Sequence, residues 1–166
     1  SRLRQVIIGG EPVRGTAVDR WVESPATRGV SLISTYGPTE TTVIVSLLPL
    51  AGDGAAGEPT TRSRVGRPLL PDTVFVAFGE IVVVGDPVAA GYLGRPSVSF
   101  GTVVGPDGMS RPVFATGDRV RIVNGHPVFA GRRDARPYRT HCPAGTAGQR
   151  TALLLTRWRP ACPLRP

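Results

Sequence analysis

A chain of 166 residues with 40% hydrophobic and 19% charged content has the size and balance of a single globular domain or part of a larger one. It contains no apolar run near the roughly 18 residues of a membrane-spanning helix and no leader pattern, and its two cysteines, Cys142 and Cys162, are too few for a disulfide or zinc framework, so a cytoplasmic setting is expected. The net charge of +8 does not make it a nucleic-acid binder: residues 1–134 hold fourteen arginines against all twelve acids, and the other six arginines lie in residues 135–166, so the excess belongs to a tail.

Residues 3–8 (LRQVII) read as a short buried strand ending at Gly9-Gly10-Glu11. A helix is expected over about 13–23, with Val13, Ala17, Trp21 and Val22 near one face, and residues 29–35 read as a second strand. Strand, turn, helix and strand make a βαβ unit, which implies a parallel sheet and a right-handed crossover. The Gly9-Gly10 pair lets backbone approach a ligand closely at a strand end, although by itself it reads as a simple turn between strand and helix.

Between the apolar runs 29–33 and 43–48 stands Ser34-Thr35-Tyr36-Gly37-Pro38-Thr39-Glu40-Thr41-Thr42. The Gly-Pro step makes a tight turn that presents a ring, several hydroxyls and one carboxylate at the end of a buried strand. Those groups suit a nucleotide and its metal: a stacking face, a donor for a phosphate oxygen and an oxygen ligand for Mg²⁺. Taken alone, the same stretch is equally a turn capped by Thr and Glu.

Residues 51–64 are rich in Gly, Ala, Pro and Thr and read as a surface loop. Short β runs follow at 74–78, 80–84, 100–104, 113–115, 119–123 and 127–129, with Asn124-Gly125 as a hairpin signal. Their spacing suggests a small antiparallel barrel or sandwich packed on the α/β piece. Thr116-Gly117-Asp118 reads either as a hairpin turn or as a carboxylate placed to accept from two neighbouring hydroxyls.

In order along the chain, six motifs resemble those of the adenylate-forming (AMP-binding) superfamily, in the form found in adenylation domains of nonribosomal peptide synthetases. They are Val6-Ile7-Ile8-Gly9-Gly10-Glu11, Tyr36 to Thr42, Val65-Gly66-Arg67-Pro68, residues 79–85 with Ala90-Gly91-Tyr92-Leu93, Thr116-Gly117-Asp118 and Gly131-Arg132-Arg133-Asp134. The resemblance covers about residues 3–134. It implies an α/β fold: a βαβ part of the adenylation core over 1–50, a loop over 51–64 and a small distorted β-barrel over 65–134. An irregular basic tail over 135–166 completes the chain.

The activity implied is ATP-dependent conversion of an amino acid or other carboxylic acid to an acyl-adenylate, with a carrier-protein domain as partner in the complete enzyme. By the same carry-over Thr39 meets a phosphate oxygen and Glu40 holds Mg²⁺. Tyr36 and Gly37 lie against the adenine of ATP or AMP, Gly9, Gly10 and Glu11 form its edge, Asp118 holds the ribose and Arg132 supports it. Val6, Ile8, Thr35, Val43 and Ile44 fall at acyl-pocket positions, and Asp134 falls at a hinge.

Three features depart from the pattern. An extra turn usual between Val76 and Gly79 is missing, the stretch 97–101 differs, and after Asp134 the resemblance stops. Residues 135–166 hold six Arg, five Pro and no acid, which reads as disorder or as translation in another frame. The chain does not begin with Met and contains no Lys, while the family's phosphate loop falls before residue 1. A fragment lacking both ends, inactive alone, is therefore expected. Two rival readings share some of these features: an acyl- or aryl-CoA ligase of the same superfamily, and a basic nucleic-acid-binding domain, which the absence of aromatic interleaving disfavours.

Overall fold

A computed structural model describes residues 3–52 and 64–134. Most of the expected loop at 51–64 and all of the tail at 135–166 lie outside the described residues. Two sheets share a common core. The first, in the order β1-β2-β3-β4, comprises β1 (Gln5–Gly9), β2 (Ser31–Tyr36), β3 (Ser46–Ala51) and β4 (Arg67–Pro68). Helix α1 (Gly15–Glu23) connects β1 to β2. The second, antiparallel sheet holds β5 (Val74–Ala77), β6 (Glu80–Val84), β7 (Phe100–Val104), β8 (Ser110–Val123) and β9 (His126–Arg132).

The expected βαβ unit is present, with β1 and β2 parallel from Gln5 opposite Ser31 to Gly9 opposite Thr35. The rest of that sheet is antiparallel. The connection from Tyr36 to Ser46 is too short for the dozen or so residues that a parallel crossover requires, so β3 must run back along β2. Helix α1 begins two residues later than expected because Arg14 keeps an extended backbone (φ −73°, ψ 125°). Its inward face centres on Val18, 4% exposed, with Val13 and Trp21 alongside, whereas Ala17 and Val22 point outward.

The β run at 80–84 buries both faces of one strand. Ile81 and Val83 enter one cluster and Val82 and Val84 another, none more than 4% exposed. Each such side chain contributes about 1.5–3 kcal/mol of hydrophobic stabilisation. The first of these clusters joins the sheets. Val45 and Val65 from the first half pack with Val74, Ile81, Val83 and Val120 from the second, and Tyr36 lies against them.

Asn124-Gly125 forms the expected two-residue hairpin, with φ of 49° and 75°, and Phe78-Gly79 forms another of the same kind at 52° and 73°. The runs at 113–115 and 119–123 are not two strands. They merge into the single 14-residue β8, which pairs with β6, β7 and β9. Thr116-Gly117-Asp118 is thus an irregularity inside a strand rather than a turn. The Thr116 hydroxyl donates to the Ile81 carbonyl (2.9 Å) and accepts the Asp118 N–H (3.0 Å), which staples the irregular stretch to β6.

Candidate functional site

Where β2 ends, it faces the end of β9 and the middle of β8, and a cleft of about 290 Å³ opens between the sheets. Its walls come from Gly10 to Val13 after β1, Ser34 to Pro38 at the end of β2, Arg64 and Val65, and Asp118, Phe129 and Arg132 of the second sheet. Close approach of strands shapes its floor. A Cβ on Gly9 would lie 2.2 Å from the Thr35 hydroxyl, which itself donates to the Ile8 carbonyl (3.2 Å). A Cβ on Gly37 would lie 2.5 Å from the Val43 carbonyl oxygen and 2.8 Å from the Val45 nitrogen. That nitrogen closes the turn by donating to the Tyr36 carbonyl (2.8 Å).

The polar centre of the cleft is Asp118, only 7% exposed. Its Oδ2 accepts the Tyr36 hydroxyl at 2.6 Å and its Oδ1 accepts Arg132 Nη1 at 3.0 Å. The same guanidinium turns its Nε to Asp134 Oδ1 (2.9 Å), and this bond holds the Asp134 carboxyl below its ordinary range. The chain Tyr36–Asp118–Arg132–Asp134 therefore links β2, β8 and β9. A carboxylate with two lone pairs on each oxygen retains acceptor capacity for further hydroxyls after both of these bonds are made.

Burial, and next the hydrogen bond to Asp118, push the Tyr36 phenol well above its ordinary value of 10.0. The folded state thus favours the neutral phenol. The resulting stability is complete below about pH 10 and declines as pH rises above it, since only the unfolded chain then ionises readily. Urea denaturation should show a fall in stability from about pH 10 to about pH 11 that a Tyr36→Phe variant largely lacks. An equal fall in the variant would place the sensitivity elsewhere.

Most of the residues singled out in the sequence come together here. Gly10, Glu11, Thr35, Tyr36, Gly37, Asp118 and Arg132 line the cleft, with Gly9 beside them and Asp134 at the far end of the polar chain. Val6 and Ile8 instead turn into the cluster around Val18 and Leu32, beneath the cleft. Val43 and Ile44 stand away from it: they are 63% and 37% exposed, in a turn where Thr42 and Val43 have φ of 60° and 70°. Ile44 lines a second hollow with Leu69, Leu70 and Pro87.

Thr39 and Glu40 sit on the short 3₁₀ turn Thr39–Thr41, next to the cleft rather than in its wall. Glu40 accepts the Tyr92 hydroxyl, and its carbonyl accepts the Ala89 N–H (2.8 Å), tying this turn to the second sheet's loops. Among the described residues no three His, Cys, Asp or Glu side chains gather as a ready cation site. A single carboxylate such as Glu40 fits Mg²⁺ only where phosphate oxygens and water complete the shell, which is the usual Mg²⁺ arrangement. Arg64, Val65 and Phe129 were not among the expected site residues. The turn motif at Val65 and the β run at 127–129 were the signals near them, and the bridge from Arg64 to Val128 brings the two together.

Among solved structures, the fold matches adenylation domains. A Vibrio cholerae adenylation domain, AlmE, solved with glycyl-adenosine-5'-phosphate, superposes with a TM-score of 0.63 at 23% identity, over 80% of this chain and 26% of that one. A nonribosomal peptide synthetase protein containing adenylation and PCP domains gives 0.60 at 26% identity, over 82% and 30%. The chain belongs to the AMP-binding enzyme family, whose model matches residues 1–93. It is 56% identical over 136 residues to an isonitrile lipopeptide synthase of Mycobacterium tuberculosis, covering 81% of this chain and 5% of that protein. The chain thus spans a small part of the relatives it matches, and that part is of the adenylation type found in nonribosomal peptide synthetases. Among the described residues no helix is long and apolar enough to cross a membrane.

Proposed function

We propose that this chain supplies the nucleoside-holding part of a site where an amino acid or related carboxylic acid reacts with ATP. The acid's carboxylate attacks the α-phosphate, an acyl-adenylate forms and pyrophosphate leaves. The observation that carries the reading is the buried Asp118 carboxylate, set between Tyr36 and Arg132 at the centre of the cleft. An acceptor fixed in this way can take two adjacent ribose hydroxyls through charge-assisted bonds. The Tyr36 ring, with its hydroxyl tethered, offers a fixed face for the adenine, and Gly9, Gly10 and Glu11 form the edge beside it. Arg132 keeps the Asp118 charge compensated while the ribose is bound.

Thr39 would donate to a phosphate oxygen, and Glu40 would hold Mg²⁺ beside the phosphates. Bound there, Mg²⁺ would neutralise phosphate charge. Of the acyl-pocket positions Val6, Ile8, Thr35, Val43 and Ile44, only Thr35 stands in the cleft wall to border the acyl group, since Val6 and Ile8 pack into the core and Val43 and Ile44 lie away from the cleft. Asp134 serves as a hinge. The partner in a whole synthetase is a carrier-protein domain, in a cytoplasmic setting. Binding is the measurement that bears on this part of the site. Calorimetric titration of the 166-residue chain with a non-hydrolysable acyl-adenylate analogue should give saturable one-site binding. A folded protein, by circular dichroism, that takes up no analogue would overturn the reading.

A further inference from the structure

We infer that Glu80 is a positioning residue for the Asp118–Arg132 pair, an inference that rests on the reading of Asp118 as the ribose acceptor. Glu80 opens β6, and its side chain is 12% exposed. Its Oε1 accepts the Gly117 amide N–H at 2.7 Å and its Oε2 accepts Arg133 Nη1 at 2.9 Å. The Gly117 carbonyl in turn accepts the Arg133 amide N–H at 2.7 Å. Glu80, Gly117 and Arg133 thus form a closed ring of three hydrogen bonds. Asp118 and Arg132 are the chain neighbours of two members of that ring, so one carboxylate sets the position of both site residues.

The backbone needs such a holder at this point. The ladders either side of Asp118 lose register, between Glu80 and Val82 on β6 and between Arg119 and Val120 on β8. Pairing with β6 therefore does not fix the Gly117–Asp118 peptide, although Asp118 still pairs with Arg132 of β9. Gly117 also sits at φ 79°, and a Cβ there would approach Arg132 Nη2 at 3.2 Å. A nearly buried acid carries a desolvation cost that a neutral side chain would avoid. Here that acid meets one amide and one guanidinium, the two groups that flank the ribose-binding pair.

The test uses the 166-residue chain, AMP and 2′,3′-dideoxy-AMP as probes, and the variants Glu80→Ala and Glu80→Gln. The unsubstituted chain should prefer AMP. Glu80→Ala should reduce that preference about tenfold, the loss of one well-placed charge-assisted bond at Asp118, with dideoxy-AMP bound as before. Glu80→Gln, which keeps an acceptor for the Gly117 N–H in the same space, should lose less than Ala and serves if the Ala variant does not fold. Amide exchange gives a second readout: Gly117 should lose protection in Glu80→Ala while Ile81 to Val84 keep theirs. Equal loss of both nucleotides, or loss of protection throughout β6, would reduce Glu80 to a structural residue and overturn the inference. An unsubstituted chain that binds both nucleotides equally would instead overturn the ribose reading of Asp118, and this inference with it.

Discussion

Asp118→Ala should lower affinity for an acyl-adenylate analogue by about a hundredfold or more, since two charge-assisted bonds of roughly 1.5–3 kcal/mol each disappear. It should also cost stability. The Tyr36 hydroxyl would lose its acceptor at 2.6 Å, and Arg132 would keep only Asp134 as its carboxylate partner. An orphaned buried hydroxyl costs about 1–3 kcal/mol. The two effects separate in a double variant. Asp118→Ala with Tyr36→Phe removes donor and acceptor together, so stability should recover much of the loss. The ring face persists, yet binding should remain weak because nothing accepts the ribose hydroxyls. Calorimetry on the single and double variants, paired with thermal denaturation, checks both parts. Recovery of binding along with stability would show that Asp118 acts only by holding Tyr36.

Gly37→Ala should be the most damaging small substitution in the turn after β2. Its Cβ would enter backbone on two sides, the Val43 carbonyl at 2.5 Å and the Val45 nitrogen at 2.8 Å, and backbone has nowhere to retreat. Val45 is 2% exposed and belongs to the cluster that joins the sheets, so a displaced turn also loosens that core. A loss of about 3 kcal/mol is expected, at the upper end of the usual cost of overpacking. Gly10→Ala provides the contrast. Nothing lies within 4 Å of its Cβ, and only the φ of 90° is unfavourable, which costs about 1–2 kcal/mol for an L-residue. Urea midpoints of the two variants should therefore rank Gly37→Ala well below Gly10→Ala. The reverse order would mean that the turn can rearrange around the added methyl.

The elements whose signals are local were legible in the sequence. The parallel β1–β2 pair follows from strand, turn and helix in series, the Asn124-Gly125 hairpin from its dipeptide, and β6 from an unbroken apolar run. What failed to show were features set by contacts between distant segments. The apolar run at 43–48 carries no mark of where β3 begins, yet Val43 and Ile44 fall in the turn because Val45 donates back to Tyr36. A glycine beside an aspartate reads as a turn at Thr116 to Asp118, but the Thr116 hydroxyl and Glu80 hold that stretch inside β8. For the site, family resemblance supplied Tyr36, Asp118 and Arg132 as members of one constellation. Spacing alone could not, because Tyr36 and Asp118 are 82 positions apart. Glu80 lay within the motif at 79–85 without a role, since no sequence pattern indicates which way its carboxylate turns.

The Tyr36–Asp118 bond also says something about the order in which the molecule assembles. The hairpins at Phe78-Gly79 and Asn124-Gly125 join neighbours in sequence, and such units close within about 1–10 μs. The bond from β2 to β8 closes a much longer loop, whose entropy must be lost before any contact rewards it. The cleft is therefore expected to take shape after these hairpins, when the two halves meet through the Val45–Val83 core. A nucleotide that fits it would act as a late clamp on docking, slowing the separation of the sheets and leaving the early hairpins unaffected.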